Sequence, residues 1–294
     1  MTAAHDTARR PIHLDDVPGW FPPLDRLLFT WLLERQARQE LHGDLVELGV
    51  YLGKSAVLLG RHLREAEKFT VCDLFEGDAP DERNQAEATK SYASLTRRAF
   101  EENYLSFHDE LPRVVQGPSS VISTEVAPRT CRFVHIDASH LYEHVYGDIG
   151  AAHELLLPGG IVVLDDFRSE HTPGVSVAAW EAVLNRGLRP LCLSTQKLYG
   201  TWGDPEPLQD ELLAMLRGRT DIALSVQEAA GHRLVRAKSK GLKAPDFPCS
   251  RHDVEAPPEA VPAAPKPAPR SRARRLAADL LPPLVTRAVR RARG

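Results

Sequence analysis

The chain has 294 residues, a formal net charge of −3 and 43% hydrophobic residues, which indicates a globular protein with room for one α/β domain and additional segments. No run approaches the roughly 18 consecutive apolar residues of a membrane-spanning helix, and residues 1–16 lack the apolar core of a secretory signal. Because the four cysteines are widely spaced, we expect reduced thiols in a cytoplasmic protein rather than zinc or disulfide sites.

Basic residues are concentrated at the C-terminus. From residue 260 onwards there are nine basic residues and one acid, whereas the rest of the chain is acidic. Residues 256–269 are rich in proline and alanine, which predicts a linker. Residues 274–293 mix leucine and valine with arginine and suit either a basic amphipathic helix that contacts a membrane surface or protein, or a solvated tail. Since these charges lie outside the predicted folded body, nucleic acid is not an expected partner.

The predicted elements alternate between helix and strand along most of the chain. In chain order they are a helix at 24–41, strand 45–50, helix 55–65, strand 69–74, helix 91–105, strand 113–116, helix 119–126, strand 132–137, helix 141–156, strand 161–164, helix 177–185, strand 190–194, helix 207–217 and strand 232–237.

This alternation predicts an α/β fold, namely a Rossmann-like, doubly wound, mostly parallel sheet of seven strands with helices on both faces. Three segments follow from the pattern. Residues 1–42 would carry a helix that packs on the core, residues 43–240 would form the α/β domain, and residues 241–294 would be the linker and a disordered basic tail.

Two loops of this arrangement lie near the carboxyl ends of the strands. The polar stretch 76–90 has no apolar period, and its length predicts a functional loop or lid. Lys197 and Tyr199 follow a predicted strand, and we expect them to be exposed loop residues without a specific role.

A glycine-bearing turn connects the first strand of the domain to its helix. The spacing is Glu47-x-Gly49-x-x-x-Gly53, where Gly49 would allow a tight turn and Gly53 would let a ligand approach the helix start. An ordinary strand-to-helix turn has similar glycines. Asp73 ends the second strand, where a Rossmann-like fold places the acid that binds ribose hydroxyls.

Three acids end two neighbouring strands of the predicted sheet. Asp137 follows one strand, and Asp165 and Asp166 follow the next, so all three would face the crevice where open α/β sheets bind ligands. Carboxylate oxygens at such a position suit Mg²⁺, with His140 close enough to act as a base. Capping of the following helix and turn is the structural alternative. His135 lies in mid-strand, and we expect a hydrogen-bonded core residue there.

These segments together resemble class I S-adenosylmethionine-dependent methyltransferases. The closer resemblance is to the metal-dependent sugar O-methyltransferases of macrolide and aminocoumarin biosynthesis, whose fourth strand reads Asp-x-x-His-x-Tyr and precedes Pro-Gly-Gly and a strand ending in two acids. Here these positions are Asp137, His140 and Tyr142, then residues 158–160 and Asp165-Asp166. The family often has Gly-Asp where this chain has residues 138–139, Ala-Ser.

The resemblance implies roles for individual residues. Asp137, Asp165 and Asp166 would bind Mg²⁺, and His140 would be the catalytic base beside Asp137. The implied S-adenosylmethionine site consists of Glu47, Gly49, Tyr51, Gly53 and Ser55 around the methionine part, Asp73 at the ribose, and Ser119 and Ser120 near the adenine.

The resemblance implies an enzyme that methylates a hydroxyl of a sugar or glycosylated small molecule. A noncatalytic protein that binds an adenosyl ligand and docks through its basic tail is the alternative. A nicotinamide oxidoreductase is disfavoured, because the third glycine of that fingerprint is missing. The sequence leaves the acceptor, the oligomeric state, including a homo-oligomer, and the role of the tail open.

Overall fold

The computed structural model describes residues 10–78 and 95–253. A compact unit extends to Asp253, and residues 254–294 lie outside the described ranges. Most of the predicted lid, from residue 79 onwards, and the predicted basic tail also lie outside these ranges.

Helices and strands alternate through the described ranges, and two short 3-10 helices, Leu14–Asp16 and Ser119–Val121, accompany them. The strands are β1 (Asp44–Leu48), β2 (Phe69–Asp73), β3 (Arg113–Gln116), β4 (Cys131–Ile136), β5 (Leu156–Leu164), β6 (Arg189–Leu193), β7 (Leu198–Thr201), β8 (Ile222–Ala229) and β9 (His232–Ser239). The helices are α1 (Pro23–Arg38), α2 (Lys54–Arg61), α3 (Arg97–Phe107), α4 (Ile122–Glu125), α5 (Tyr142–Leu155), α6 (Pro173–Asn185) and α7 (Glu206–Leu216).

One mixed sheet forms the centre of the unit, with the strand order β3-β2-β1-β4-β5-β7-β6-β9-β8. The strands from β3 to β5 in this order are parallel, whereas β7 is antiparallel to both β5 and β6. The hairpin of β8 and β9 joins the edge through a single parallel pair between Leu193 and Arg236. The predicted Rossmann-like class is confirmed, and the five parallel strands place their carboxyl ends along one edge.

The prediction of seven strands is wrong, because the described residues form a nine-stranded sheet. β7 and β8 are not among the predicted strands. β7 has only four residues and contains Gly200, so it gives no usable alternation. β8 lies at the edge of the sheet and exposes half of its residues, so its polar residues read as a loop.

Alternating side chains of the central strands pack into two separate cores. Leu45 and Phe133 point to one face of the sheet, whereas Val46 and Val134 point to the other. The first core includes α1, α2, α3 and α7, and the second includes α5 and α6. Both faces of the parallel strands are therefore covered, as this strand type requires.

A buried ion pair connects β4 to the loop before β2. Arg132 is 1% exposed, and its Nη2 lies 2.8 Å from Glu67 Oε2. Burial opposes ionisation of Glu67, but hydrogen bonds from Arg132 and Arg64 outweigh burial and lower the pKa of Glu67 to about 2. The pair therefore stays charged over most of the pH range.

We expect Glu67→Gln to reduce the free energy of unfolding at pH 7 by about 3 kcal/mol, because it leaves a buried guanidinium unpaired. Urea unfolding measures this difference. The ionised carboxylate stabilises the fold above the ordinary pKa of 4.5, and its contribution is lost as the pH falls towards 2. The difference between wild type and variant should therefore narrow between these values, and a constant difference would contradict the assignment.

All four cysteines lie within the residues that the structure describes. Cys72, Cys131, Cys192 and Cys249 are all free thiols, and the first three are buried. Within the described ranges, no helix combines the length and apolar character that crossing a membrane requires.

Candidate active site

A cavity of about 880 Å³ opens at the carboxyl edge of the parallel strands. Its walls come from the loops after β1, β2, β3, β4 and β5, together with residues 18–22 of the N-terminal segment. This is the edge at which open α/β sheets bind ligands, and the volume is typical of a small-molecule site.

Gly49 shapes the cavity wall after β1. Its φ is +77°, and a Cβ at this position would lie only 2.0 Å from the carbonyl oxygen of Asp137. Gly53 has a φ of +94°, and a Cβ there would lie 3.0 Å from the ring of Phe100. A side chain at either position would strain the backbone and crowd neighbouring atoms, so both positions require glycine. Gly49 lines the cavity, whereas Gly53 is not among the lining residues.

Tyr51 and Ser55 also line the cavity after β1. Tyr51 has a φ of +48° and stacks against Trp20, with ring centroids 5.8 Å apart. Trp20 is 77% exposed. The two rings form an aromatic surface on the cavity wall.

Asp73 connects the end of β2 to the loop after β1. Its Oδ2 accepts hydrogen bonds from the backbone N–H groups of Val50 (2.7 Å) and Tyr51 (3.1 Å), and its Oδ1 accepts one from Phe75 (2.8 Å). Burial raises the pKa of Asp73, and these three donors oppose the shift. The carboxylate lines the cavity and is held in a fixed orientation.

Ser119 and Ser120 lie after β3 and face the same cavity, where Asp148 of α5 joins them. Asp148 is 2% exposed, and its Oδ2 has no hydrogen-bond partner among the described residues. Burial raises the pKa of Asp148 to about 6, and the Ser119 hydroxyl opposes this shift. Asp148 is not among the residues predicted for the site. The available signal was an acid on the apolar face of α5, between Val145 and Ile149.

The three predicted acids converge in the cavity and form what we call the carboxylate cluster (Asp137, Asp165 and Asp166). Burial and the neighbouring Asp165 raise the pKa of Asp137 well above its usual range. Asp137 lies at the centre, because it belongs to both groups of potential metal ligands that the described residues form. One group is Asp137, His140 and Asp166, and the other is His135, Asp137 and Asp165.

His140 and Asp166 form a close pair in the first group. Nε2 of His140 lies 3.0 Å from Asp166 Oδ2, and the Ser169 hydroxyl donates to Asp166 Oδ1 at 2.6 Å. Burial opposes ionisation of Asp166, but these two hydrogen bonds outweigh it and lower the pKa to about 2. An ionised carboxylate therefore orients the imidazole ring.

Asp165 is engaged by protein groups on both oxygens. Its Oδ1 accepts from the backbone N–H of Asp166 at 2.8 Å, and its Oδ2 forms an ion pair with Lys197. The expectation that Lys197 and Tyr199 are exposed is wrong, since each is 1% exposed. The unpredicted strand β7 is the reason, because its antiparallel pairing with β5 brings Lys197 beside Asp165.

Two buried hydrogen-bonded pairs lie near Lys197, namely His135 with Glu47 and Tyr199 with Asp25. His135 is a hydrogen-bonded core residue as predicted, with Nδ1 2.7 Å from Glu47 Oε1. Burial raises the pKa of Glu47 to about 8, and Glu47 is not among the residues that line the cavity. Tyr199 donates to Asp25 Oδ1 of α1 at 2.6 Å.

The family model described as "Methyltransferase domain" matches residues 46–167, from β1 to just beyond β5. No curated protein sequence is similar enough to match. Among solved structures, the O-methyltransferase NovP is 19% identical over 61% of this chain and 81% of its own, with a TM-score of 0.48. CalS11, a TDP-rhamnose 3'-O-methyltransferase of calicheamicin biosynthesis, is 19% identical over 61% and 82%, with a TM-score of 0.40.

A third similar structure is the methyltransferase PaMTH1 of Podospora anserina with bound SAH, at 14% identity over 65% of this chain and 86% of its own, with a TM-score of 0.44. The matched segment 46–167 contains the glycine turn, Asp73 and the whole carboxylate cluster. Over these residues the chain matches the family model of a methyltransferase domain.

Proposed function

We propose that this chain is an O-methyltransferase that transfers a methyl group from S-adenosylmethionine to a hydroxyl of a sugar or glycosylated small molecule, with Mg²⁺ as cofactor. The observation that carries the proposal is the convergence of Asp137, His140 and Asp166 inside the cavity that also contains Asp73. A base and oxygen ligands beside a nucleotide-sized site suit activation of an alcohol.

The cavity has suitable groups for each part of S-adenosylmethionine. Gly49, Tyr51 and Ser55 are placed for the methionine part, and the oriented carboxylate of Asp73 is placed for the ribose hydroxyls. The predicted contributions of Glu47 and Gly53 would be indirect, through the position of the turn. When bound, the cofactor supplies a methyl group on an electrophilic sulfonium, so the protein has mainly to orient and deprotonate the acceptor.

His140 is the base in this mechanism. In the neutral imidazole, Nε2–H donates to Asp166 and the lone pair is therefore on Nδ1, which takes the proton of the acceptor hydroxyl. Asp166 fixes the ring and stabilises the imidazolium that forms. The acceptor oxygen must then lie in line with the methyl–sulfur bond.

The donor set of the first ligand group fits a divalent cation. Asp137 and Asp166 offer carboxylate oxygens, the ligands that Mg²⁺ prefers, and their ligand atoms and that of His140 lie within 4.8 Å of one another. A bound Mg²⁺ would lower the pKa of the acceptor hydroxyl. Asp137 and Asp166 are the residues that would hold it.

The cavity wall suits a carbohydrate. The aromatic surface of Trp20 and Tyr51 offers a flat apolar face of the kind against which a sugar ring packs, and carboxylates within the cavity can accept hydrogen bonds from its hydroxyls.

The test is incubation of the purified chain with labelled S-adenosylmethionine, Mg²⁺ and a panel of nucleotide sugars and glycosides. We expect an O-methylated product by mass spectrometry and NMR, with activity lost on chelation and restored by Mg²⁺. Cofactor binding without methylation of any acceptor would favour the noncatalytic alternative. Undiminished turnover after chelation would remove Mg²⁺ from the proposal.

Asp148 allows a separate test of the adenine end. Its unpartnered Oδ2 is an acceptor, and the exocyclic amine of adenine is a donor. We expect Asp148→Asn to weaken binding of S-adenosylhomocysteine by about tenfold, the cost of roughly one charged hydrogen bond, and to improve binding of the inosine analogue, whose oxygen accepts from an amide. Calorimetry measures both affinities. A variant that weakens the two ligands equally would contradict this assignment.

A further inference from the structure

Lys197 is the unexpected component of the site. It precedes β7, outside the segment 46–167 that the family model matches, and its side chain is 1% exposed. Its ammonium forms an ion pair with Asp165, and Nζ lies 3.2 Å from Nε2 of His135. Asp137 is close enough to favour its charged form.

These neighbours form the second of the two potential metal-ligand groups. The ligand atoms of His135, Asp137 and Asp165 lie within 4.8 Å of one another, and Lys197 contacts two of the three residues. The described residues thus bring a cationic side chain to the place where a metal ion would have to bind.

The tautomer of His135 strengthens this point. Its Nδ1 lies 2.7 Å from Glu47, so Nδ1–H donates to that carboxyl group and the Nε2 lone pair accepts from the Lys197 ammonium. A metal ion would need this same lone pair. Oδ2 of Asp165 is likewise occupied by the ammonium of Lys197, whereas the oxygens of Asp166 accept from an imidazole and a hydroxyl.

We propose that Lys197 is a resident cation that takes the place of a metal ion in the group of His135, Asp137 and Asp165. The site then binds a single divalent cation, on the side of His140 and Asp166, and Asp165 is not a ligand. The inference about the single ion depends on the proposed function. The substitution of ammonium for metal depends only on the geometry around Lys197.

Charge balance explains why a lysine is useful at this position. Three carboxylates in a largely buried cluster repel each other, and a buried charge is tolerated when it is paired. Although burial lowers the pKa of Lys197, the neighbouring Asp165, Asp137 and Asp25 raise it above its ordinary value. Lys197 therefore stays charged and neutralises part of the cluster before any ion binds.

The experiment uses Mn²⁺ as the probe, with binding to the full chain followed by electron paramagnetic resonance and no acceptor present. We expect one Mn²⁺ per wild-type chain and two per Lys197→Met chain, because the substitution removes the ammonium and frees His135 Nε2 and Asp165 Oδ2, while Asp137 is shared between the two ions. The double variant with Asp165→Asn should return to one ion.

Lys54 provides the matched control. It lines the cavity, and its Nζ donates to the carbonyl oxygen of Gly19 at 3.1 Å rather than to the carboxylate cluster. Lys54→Met should still bind one Mn²⁺. Two ions bound to the wild type, or no additional ion bound to folded Lys197→Met, would overturn the proposal.

A second pair of variants tests the proposal if Lys197→Met fails to fold. We expect Asp165→Asn to change the Mn²⁺ affinity by less than about tenfold, because Asp165 does not contact the ion. Asp166→Asn should weaken the Mn²⁺ affinity by more than about a hundredfold, because it removes a ligand. Equal losses would overturn the proposal. If the wild type bound no Mn²⁺, the metal dependence of the proposed function would be contradicted. The substitution of the Lys197 ammonium for a metal ion would then be tested by whether Lys197→Met gains one Mn²⁺ relative to the wild type.

Discussion

Replacement of His140 by asparagine is expected to reduce kcat for methyl transfer by about a thousandfold, which is the middle of the range for a general base. The affinity for S-adenosylhomocysteine should change little, because the predicted cofactor contacts lie in the loops after β1, β2 and β3. The loss of kcat is expected because the carboxylate of Asp166, which lies 3.0 Å from Nε2 of His140, holds the imidazole ring in position for proton transfer. Steady-state kinetics with a saturating cofactor concentration measure the effect.

His144 is a suitable control for this substitution. It lies four residues further along, in the first turn of α5, lines the same cavity, and has Nδ1 2.9 Å from the Ser139 hydroxyl. We expect His144→Asn to retain kcat within about threefold, as is usual for a residue outside the reacting groups. A similar loss in both variants would indicate that disruption of the loop, and not loss of a base, lowers the rate.

Gly49→Ala should reduce the free energy of unfolding by about 3 kcal/mol or more and abolish cofactor binding, because two costs add. The backbone is at a φ of +77°, where residues with a Cβ are strained, and the new methyl group would lie 2.0 Å from the carbonyl oxygen of Asp137. The loops after β1 and β4 would have to separate. Urea unfolding and calorimetry with S-adenosylhomocysteine measure the two effects.

Gly117 is the matched control, since it also lines the cavity but a Cβ there would meet no heavy atom within 4 Å. We expect Gly117→Ala to change the free energy of unfolding by less than about 1 kcal/mol. If both alanine variants were equally stable, the close approach of Gly49 to Asp137 would not be the constraint that the structure indicates.

The parallel half of the fold could be predicted from the sequence because each of its strands carries a strong local signal. The apolar runs before Asp73, Asp137 and Asp165 are short and end in acids, and the intervening segments have helical periodicity. Since parallel strands align their carboxyl ends, these acids could also be expected at one cavity.

The other half gave weaker signals. β7 is a four-residue antiparallel strand, and its assignment depends on pairing with β5 and β6 rather than on its own residues. Without β7 in place, Lys197 reads as a loop residue, and its ion pair with Asp165 cannot be foreseen. Asp148 gave one sequence signal, its position on the apolar face of α5, but only the tertiary structure shows that the helix turns this carboxylate towards Ser119.

The hydrogen bond from Tyr199 to Asp25 joins residues 174 positions apart, and it lies beside the lysine that neutralises the carboxylate cluster. Such distant contacts form late, since the entropy of closing a long loop must be overcome first. During synthesis, the chain as far as residue 201, the end of β7, must leave the ribosome before Lys197 can be held beside the carboxylate cluster and neutralise part of its charge. A truncated polypeptide that stops at the end of the family match would retain the acids and lack their counterion.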